Sequence, residues 1–399
     1  MKYLTILAAL ISPMAALADP PPADWDAVLA EAKGETVYWN AWGGSTTTND
    51  FLAWVGERVS EDYGVTLEHV KLTDTADAVK RVLSEKQAGQ NDDGAIDMIW
   101  INGANFAAMK DADLLFGPYA EQLPNWALVD VEGKTVQTDF TVPVEGYESP
   151  WAMAQVVFVQ DTADMPERLG SMQALQEWAQ ANPGRFSYPQ PPDFLGTTFL
   201  KQVLVDILPD PSVLEAPATD ENYDEVTAPL WAYLDALTPN LWREGKAYPA
   251  TGTAMFPLIA DDEVDLSISF SPGAASTAIA NFELPETVRT FVLDKGTIGN
   301  ASFVAIPYNS GSKAGAMVVA NFLMSPEAQA RAQDPATLGY GTVLNMDALS
   351  AEERAVFDGL DLGVATLTPA ELGTVQAEPH PSWAVRIADD WVSRYGVAQ

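Results

Sequence analysis

The 399-residue chain carries 56 acidic against 21 basic side chains, a net charge of -35; a surface of that sign repels phosphate polymers and anionic lipid headgroups, which argues against nucleic acid and membrane surfaces as partners. It has no cysteine, which excludes disulfides, thiol nucleophiles, cysteine-ligated zinc and a lipid-modified N-terminal cysteine. With 47% hydrophobic and 10% aromatic residues, the chain can bury large cores, and its length calls for two lobes.

Met1-Lys2, the apolar run Leu4 to Leu17 and the small residues of Ala16-Leu17-Ala18 have the layout of a secretory signal peptide over residues 1–18. The run is shorter than the roughly 20 apolar residues that span a bilayer. Cleavage after Ala18 and a freely diffusing periplasmic protein are therefore expected.

The mature chain alternates short strands with helices, an α/β pattern. Trp25 to Ala32 reads as a helix stopped at Gly34, and Thr36 to Trp42 as an aromatic strand. The turn Gly43-Gly44-Ser45 leads into a helix with Phe51, Trp54, Val55 and Val59 at helical spacing. Val65 to Val70 is a strand, Ala76 to Leu83 a helix, Met98 to Ile101 a buried strand, and Ala104 to Lys110 a helix. A change follows at Pro143 to Pro150. Beyond it, strands are expected at Gln155 to Val159, Arg185 to Tyr188, Leu266 to Phe270, Val288 to Leu293 and Ala301 to Ile306. Helices are expected at Ser171 to Ala181, from Thr197, at Asp224 to Leu237, Gly252 to Ala260 and Lys313 to Met324, with a last one ending at Tyr395. The expected division is 36–148 plus 299–326 for lobe one and 150–298 plus 327–399 for lobe two.

Catalytic signatures are missing. Gly133-Lys134-Thr135 resembles the end of a phosphate-binding loop, but the glycine that loop needs is Leu128. No Gly-x-Gly-x-x-Gly follows a strand, and neither a Gly-x-Ser-x-Gly elbow nor a His-Glu-x-x-His is present. The two histidines, His69 and His380, read as structural. No enzyme, cofactor or metal is expected; the rival is a secreted carboxylate hydrolase, since two acids suffice for that chemistry.

In α/β sheets ligands bind beyond the carboxyl ends of strands. That rule selects Trp39, Asn40, Trp42, Gly43, Gly44 and Ser45 after the first strand, and Trp100, Asn102 and Asn105 after the third. It also selects Glu148 and Trp151 at the crossover, then the loop Tyr188 to Phe194 with Tyr188 and Asp193, together with Ser269-Phe270-Ser271-Pro272 and Gly299-Asn300 from later strands. Trp39, Trp42, Trp100 and Trp151 would form an aromatic box of the kind that holds quaternary ammonium groups, with Glu148 or Asp193 as counter-charge. Alternatively, the Gly43-Gly44-Ser45-Thr46 helix start and the carboxamides would hold an anionic or polyhydroxylated solute.

The segments VYWNAWGGS, GVTLEHVKLTDTADAVKRVLSEKQAGQ, DMIWINGANFAAMK, LLFGPY with LPNW, ESPW and HPSW resemble the YnjB-type family of periplasmic solute-binding proteins of ABC importers, related to family 1 extracellular solute-binding proteins. The likeness runs over most of the mature chain and is strongest from Thr36 to Trp151. It implies a type II periplasmic-binding-protein fold, with two α/β lobes, a central ligand cleft and several crossovers. It also implies a permease and its ATPase as partners, with lobe closure on the ligand as the signal. A monomer is expected. The resemblance does not carry the solute over; the tryptophans with Glu148 or Asp193 point to a cationic or aromatic heterocyclic one, such as a thiamine-like compound, with an anionic or polyhydroxylated solute as the alternative.

Overall fold

In the computed structural model, which describes residues 24–397, caps and apolar stripes set the first elements; the expected signal peptide lies outside those residues. Asp24 accepts the Asp26 N–H and starts α1 (Trp25–Ala32), which leads to β1 (Thr36–Trp42). Ser45 caps α2 (Thr46–Tyr63), and Gly64 ends it in left-handed conformation at φ 71°. Phe51, Leu52, Val55 and Val59 form its buried stripe, the spacing of a helix lying on a sheet. β2 (Thr66–Leu72), α3 (Thr75–Gln87), β3 (Met98–Ile101) and α4 (Ala104–Asp111) repeat the step. Both β2 and β3 pair with β1 in parallel.

A hairpin of β4 (Thr138–Asp139) and β5 (Val142–Pro143) follows. β6 (Glu148–Gln155) then leaves the first lobe and the chain continues as β7 (Val157–Asp161) in the second. There come α5 (Met172–Ala181), α6 (Phe194–Ile207), α7 (Tyr223–Leu237), α8 (Met255–Ala260), β8 (Leu266–Ser269), α9 (Ala274–Ala280) and β9 (Val288–Phe291). β7 lies between β8 and β9, antiparallel to both. β10 (Thr297–Ala305), buried at every position, returns to the first lobe antiparallel to β3 and β6. After α10 (Lys313–Leu323), α11 (Pro326–Gln333) and α12 (Ala351–Asp358), the chain crosses once more to α13 (Pro369–Leu372), β11 (Val375–Gln376) and α14 (Pro381–Tyr395). The larger sheet runs β11-β10-β3-β1-β2, with β6 also on β10. Among the described residues, no helix is long and apolar enough to cross a membrane.

Two main cores result. Trp39, Phe51, Trp151, Phe303 and Phe322 belong to the first; Phe158, Tyr188, Phe199, Trp383 and Trp391 belong to the second. The division along β10 falls between Ile298 and Ala301. The tail differs from expectation. Ala328, Val343, Leu344 and Phe357 pack into the first core, and only from about Ala365 onward does the chain join the second lobe. α11 packs against β6 and α12 against α11, with Phe357 in the first core.

The crossover differs too. Pro150 lies inside a strand rather than at a turn. It has no N–H for the ladder, and opposite it the register slips between Ser302 and Phe303, leaving Trp151 as the extra residue of a bulge. Arg185 to Tyr188 makes only a single bridge, Phe186 to Leu266, because the sheet of the second lobe ends at β8.

Candidate functional site

Asn102 sits just past the carboxyl end of β3, where the rule for α/β sheets places a ligand. Its Nδ2 donates to the Ala301 carbonyl at 2.7 Å and to Asp139 Oδ1 at 3.4 Å. The Gly103 N–H donates to Asp139 Oδ2 at 2.6 Å. Asp139 is fully buried. Burial pushes its carboxyl up to about 8, against the lowering effect of those two donors. The next residues, Phe140 and Thr141, are the loop of the β4–β5 hairpin and have φ 44° and 72°. A two-residue hairpin wants glycine or asparagine at such angles, so this turn holds its side chains in place at a backbone cost.

From the second lobe, Lys201 on α6 reaches the same spot. Its Nζ lies 4.4 Å from the Phe140 ring centre and 5.7 Å from that of Phe194. It makes an ion pair of 2.6 Å with Glu378 Oε2, with both side chains 2% exposed. Glu378 Oε1 accepts from Asn300 Nδ2 at 3.0 Å. Burial raises the Glu378 pKa, while Lys201 and Asn300 pull it back. Phe270 stands edge-on to Phe194 at 5.2 Å. Both lobes and the crossing segments thus contribute to one cluster of two buried carboxyl groups, one buried ammonium, two carboxamides and aromatic faces, of which Phe194 is 49% exposed.

On the other flank of β10 the lobes meet through backbone. The Gly273 N–H donates to the Gly339 carbonyl at 2.9 Å, and a side chain on either residue would strike the backbone of the other, so the approach needs glycine at both. Ser271 Oγ donates to the Leu338 carbonyl at 3.2 Å. Met153 and Gly341 exchange two backbone hydrogen bonds.

Several residues expected at a ligand surface stand elsewhere. Trp39 and Trp151 are fully buried and meet edge-on at 6.4 Å, and Phe51 stacks on Trp151; they are core residues of the first lobe, because the bulge at Trp151 turns its indole inward. Trp100, partly exposed, meets Trp151 at 4.9 Å. The expected box is therefore a packed cluster with Trp100 at its rim, and Trp42 is held apart at the end of β1 over Gly44. Tyr188 is buried in the second core and accepts from Trp391 Nε1. Asn40 is buried, and Asn105 is half-buried in the first turn of α4. Glu148 is fully buried with no hydrogen-bond partner for either oxygen among the described residues, and burial raises its pKa well above the usual carboxylate range. Burial there disfavours its ionised form. Asp193 spends its carboxylate on capping α6, accepting from the Leu195 and Gly196 N–H groups. Ser45 likewise caps α2, and Gly43 accepts from Asn49. Ser269 Oγ donates to the Ser271 carbonyl.

The strand-end loops read from the sequence include Asn102, Asn300 and Phe194 but not Asp139, Phe140, Lys201 and Glu378. Only Lys201 had a local signal, a lysine inside the apolar run FLGTTFLKQVLVDI. Elsewhere, Lys134 donates to the Thr342 and Leu344 carbonyls at 2.7 Å each, a structural use rather than phosphate binding. His380 accepts from the Ser382 N–H at the start of α14. Asp164, Asp262 and Asp265 lie close enough to suggest a metal, but Arg185 pairs with the latter two.

Comparison with known proteins agrees with this architecture. Residues 54–352 match the family described as bacterial extracellular solute-binding protein. Protein YnjB of Escherichia coli (strain K12) is 44% identical over 373 residues, covering 94% of each chain. Among solved structures, a putative spermidine/putrescine ABC transporter from Listeria monocytogenes has a TM-score of 0.63 at 14% identity, covering 90% of this chain and 98% of its own. The periplasmic binding protein AfuA from Actinobacillus pleuropneumoniae, with fructose-6-phosphate bound, has a TM-score of 0.62 at 12% identity, covering 91% and 99%. Two α/β lobes joined by crossing strands are the type II periplasmic-binding-protein fold, and with this relationship the chain belongs to the YnjB-type bacterial extracellular solute-binding proteins of ABC transporters.

Proposed function

We propose that this protein is a monomeric periplasmic receptor, without catalytic activity, that closes its lobes on a small ammonium-bearing solute and hands it to an ABC permease and its ATPase. The observation that carries the solute class is the buried seam cluster. Glu378 brings a carboxylate to it, Asp139 adds a carboxyl whose pKa burial raises to about 8, and Phe140 and Phe194 offer aromatic faces beside them. Carboxylate plus aromatic faces is the chemistry that holds alkylammonium or quaternary ammonium groups. A flat heterocyclic cation, such as a thiamine-like compound, would also find the exposed side of Trp100. Contacts to a bound solute from both lobes would favour the closed form, which is what a permease can recognise.

An anionic or polyhydroxylated solute has less support. The Ser45 hydroxyl already faces the Thr48 N–H and the Thr47 hydroxyl, and Lys201 is already neutralised by Glu378. The name of the Listeria structure points to polyammonium solutes and that of AfuA to a sugar phosphate; the Glu378 carboxylate beside aromatic faces fits the first chemistry better. A carboxylate hydrolase has less support still, since Glu148 is sealed in the core and Asp193 is a helix cap. The test is a thermal-shift and tryptophan-fluorescence panel of ammonium solutes, anions and sugars. Stabilisation by ammonium compounds is expected, and a response confined to anions or sugars overturns the solute class.

A further inference from the structure

Lys201 is a buried lysine on a helix whose residues from Leu195 to Asp206 are all buried, and its ammonium stands where the proposed solute would place its own. Around Nζ are Glu378 Oε2 at 2.6 Å, the Phe140 ring at 4.4 Å and the Phe194 ring at 5.7 Å, with Asn300 fixing the second oxygen of Glu378. These groups come from the first lobe, the second lobe and the crossing segment. A carboxylate and two aromatic faces around one cation make a cage for an ammonium group. Lysine, with a compact charge on a flexible stem, can leave such a cage and re-enter it.

We propose that Lys201 is a resident ammonium, a specificity-determining residue that a cationic solute must displace from the cage formed by Glu378, Phe140 and Phe194. This rests on the ammonium reading above. A place for the displaced side chain lies close by. A cavity of about 150 Å³ is lined by Val205, one turn along α6 from Lys201, together with Asp210, Leu214, Glu215, Gln376 and Glu378. Asp210, which accepts from the Ser212 N–H and hydroxyl, and Glu215 line it outside the cage, and Glu378 borders both spaces. The charge count of the buried seam is then unchanged when one ammonium replaces another. A neutral solute gains nothing by the exchange, and an anion would be placed beside Glu378. Lys201 in this role excludes weak or uncharged competitors and lowers affinity for the right solute by the free energy of its own displacement.

The experiment uses the full mature chain, with choline, putrescine and thiamine as ammonium probes and fructose 6-phosphate and citrate as anionic ones. Lys201→Met removes the resident charge while keeping the stem, and is expected to bind the responding ammonium probe about tenfold tighter than wild type. Equal or weaker binding by a variant that melts as a folded protein overturns the proposal while leaving the ammonium reading intact. Wild-type binding of anions alone, abolished in Lys201→Met, overturns both. Should the variant not fold, lysine acetylation of wild type read by mass spectrometry decides the matter. Lys201 is expected to be protected without probe and to become reactive at saturating ammonium probe; unchanged or greater protection overturns displacement.

Discussion

Asp139 and Glu148 are carboxyls that the fold keeps away from water, and this makes stability depend on pH in a definite direction. The Asp139 pKa rises from an ordinary 3.8 to about 8 in the folded protein, chiefly through burial. Between those values the folded chain holds a proton that the unfolded chain releases. Its contribution is therefore complete below the ordinary carboxylate range, falls as pH rises and is gone once pH passes the folded value. Thermal melts are expected to show Tm falling from pH 5 to pH 8.5, and Asp139→Asn, which preserves shape, is expected to flatten that slope. An unchanged slope in the variant would count against a protonated Asp139. Trp151 makes a separate point. As a core residue touching Trp39, Phe51, Trp100 and Tyr340, its replacement by alanine should cost about 3–5 kcal/mol of stability, read by denaturant unfolding. Solute affinity measured below the melting transition should change little. Sequence pattern identified these aromatics at strand ends, but a strand shows two faces, and which one turns inward depended on a bulge set by Pro150. Glu378 was harder to find, since its ion pair spans 177 residues of sequence and no local spacing encodes it.

At the scale of elements, the β4–β5 hairpin carries the site's backbone strain. Phe140 and Thr141 hold positive φ without glycine, and a β-branched residue there is disfavoured. Thr141→Gly should relieve the turn and stabilise the protein by about 1 kcal/mol, with solute affinity close to wild type because Phe140 stays. A loss of stability would mean that Thr141 makes contacts that outweigh its strain. The same strain explains why this hairpin was not legible: Asp-Phe-Thr-Val has none of the turn residues that announce a tight loop. By contrast β1, α2, β3 and α4 were legible because their periodicities, caps and glycine stop agree with one another. The Gly273–Gly339 approach is the other sensitive element. Gly339→Val forces the second lobe away from the 338–341 segment and should lower Tm while weakening closure, seen as a larger radius of gyration by X-ray scattering at saturating solute.

For the whole molecule, three crossings between two cores make relative motion of the lobes the natural response to a solute at their seam. The two-lobed class was legible from length, α/β alternation and family likeness; the path of the tail was not, because α11 and α12 are short amphipathic helices able to cover either lobe. In the fold they lie on the first lobe, α11 against β6 and α12 against α11. At this scale the central claim is that an ammonium solute is held by Glu378 at the seam. The most direct test is side-by-side titration of wild type and Glu378→Gln with ammonium solutes, followed by tryptophan fluorescence. The account predicts saturable binding by wild type and affinity lower by about tenfold or more in the variant, as for loss of a buried charge partner. Equal binding by the two proteins, or saturation by anions or sugars alone, would contradict it.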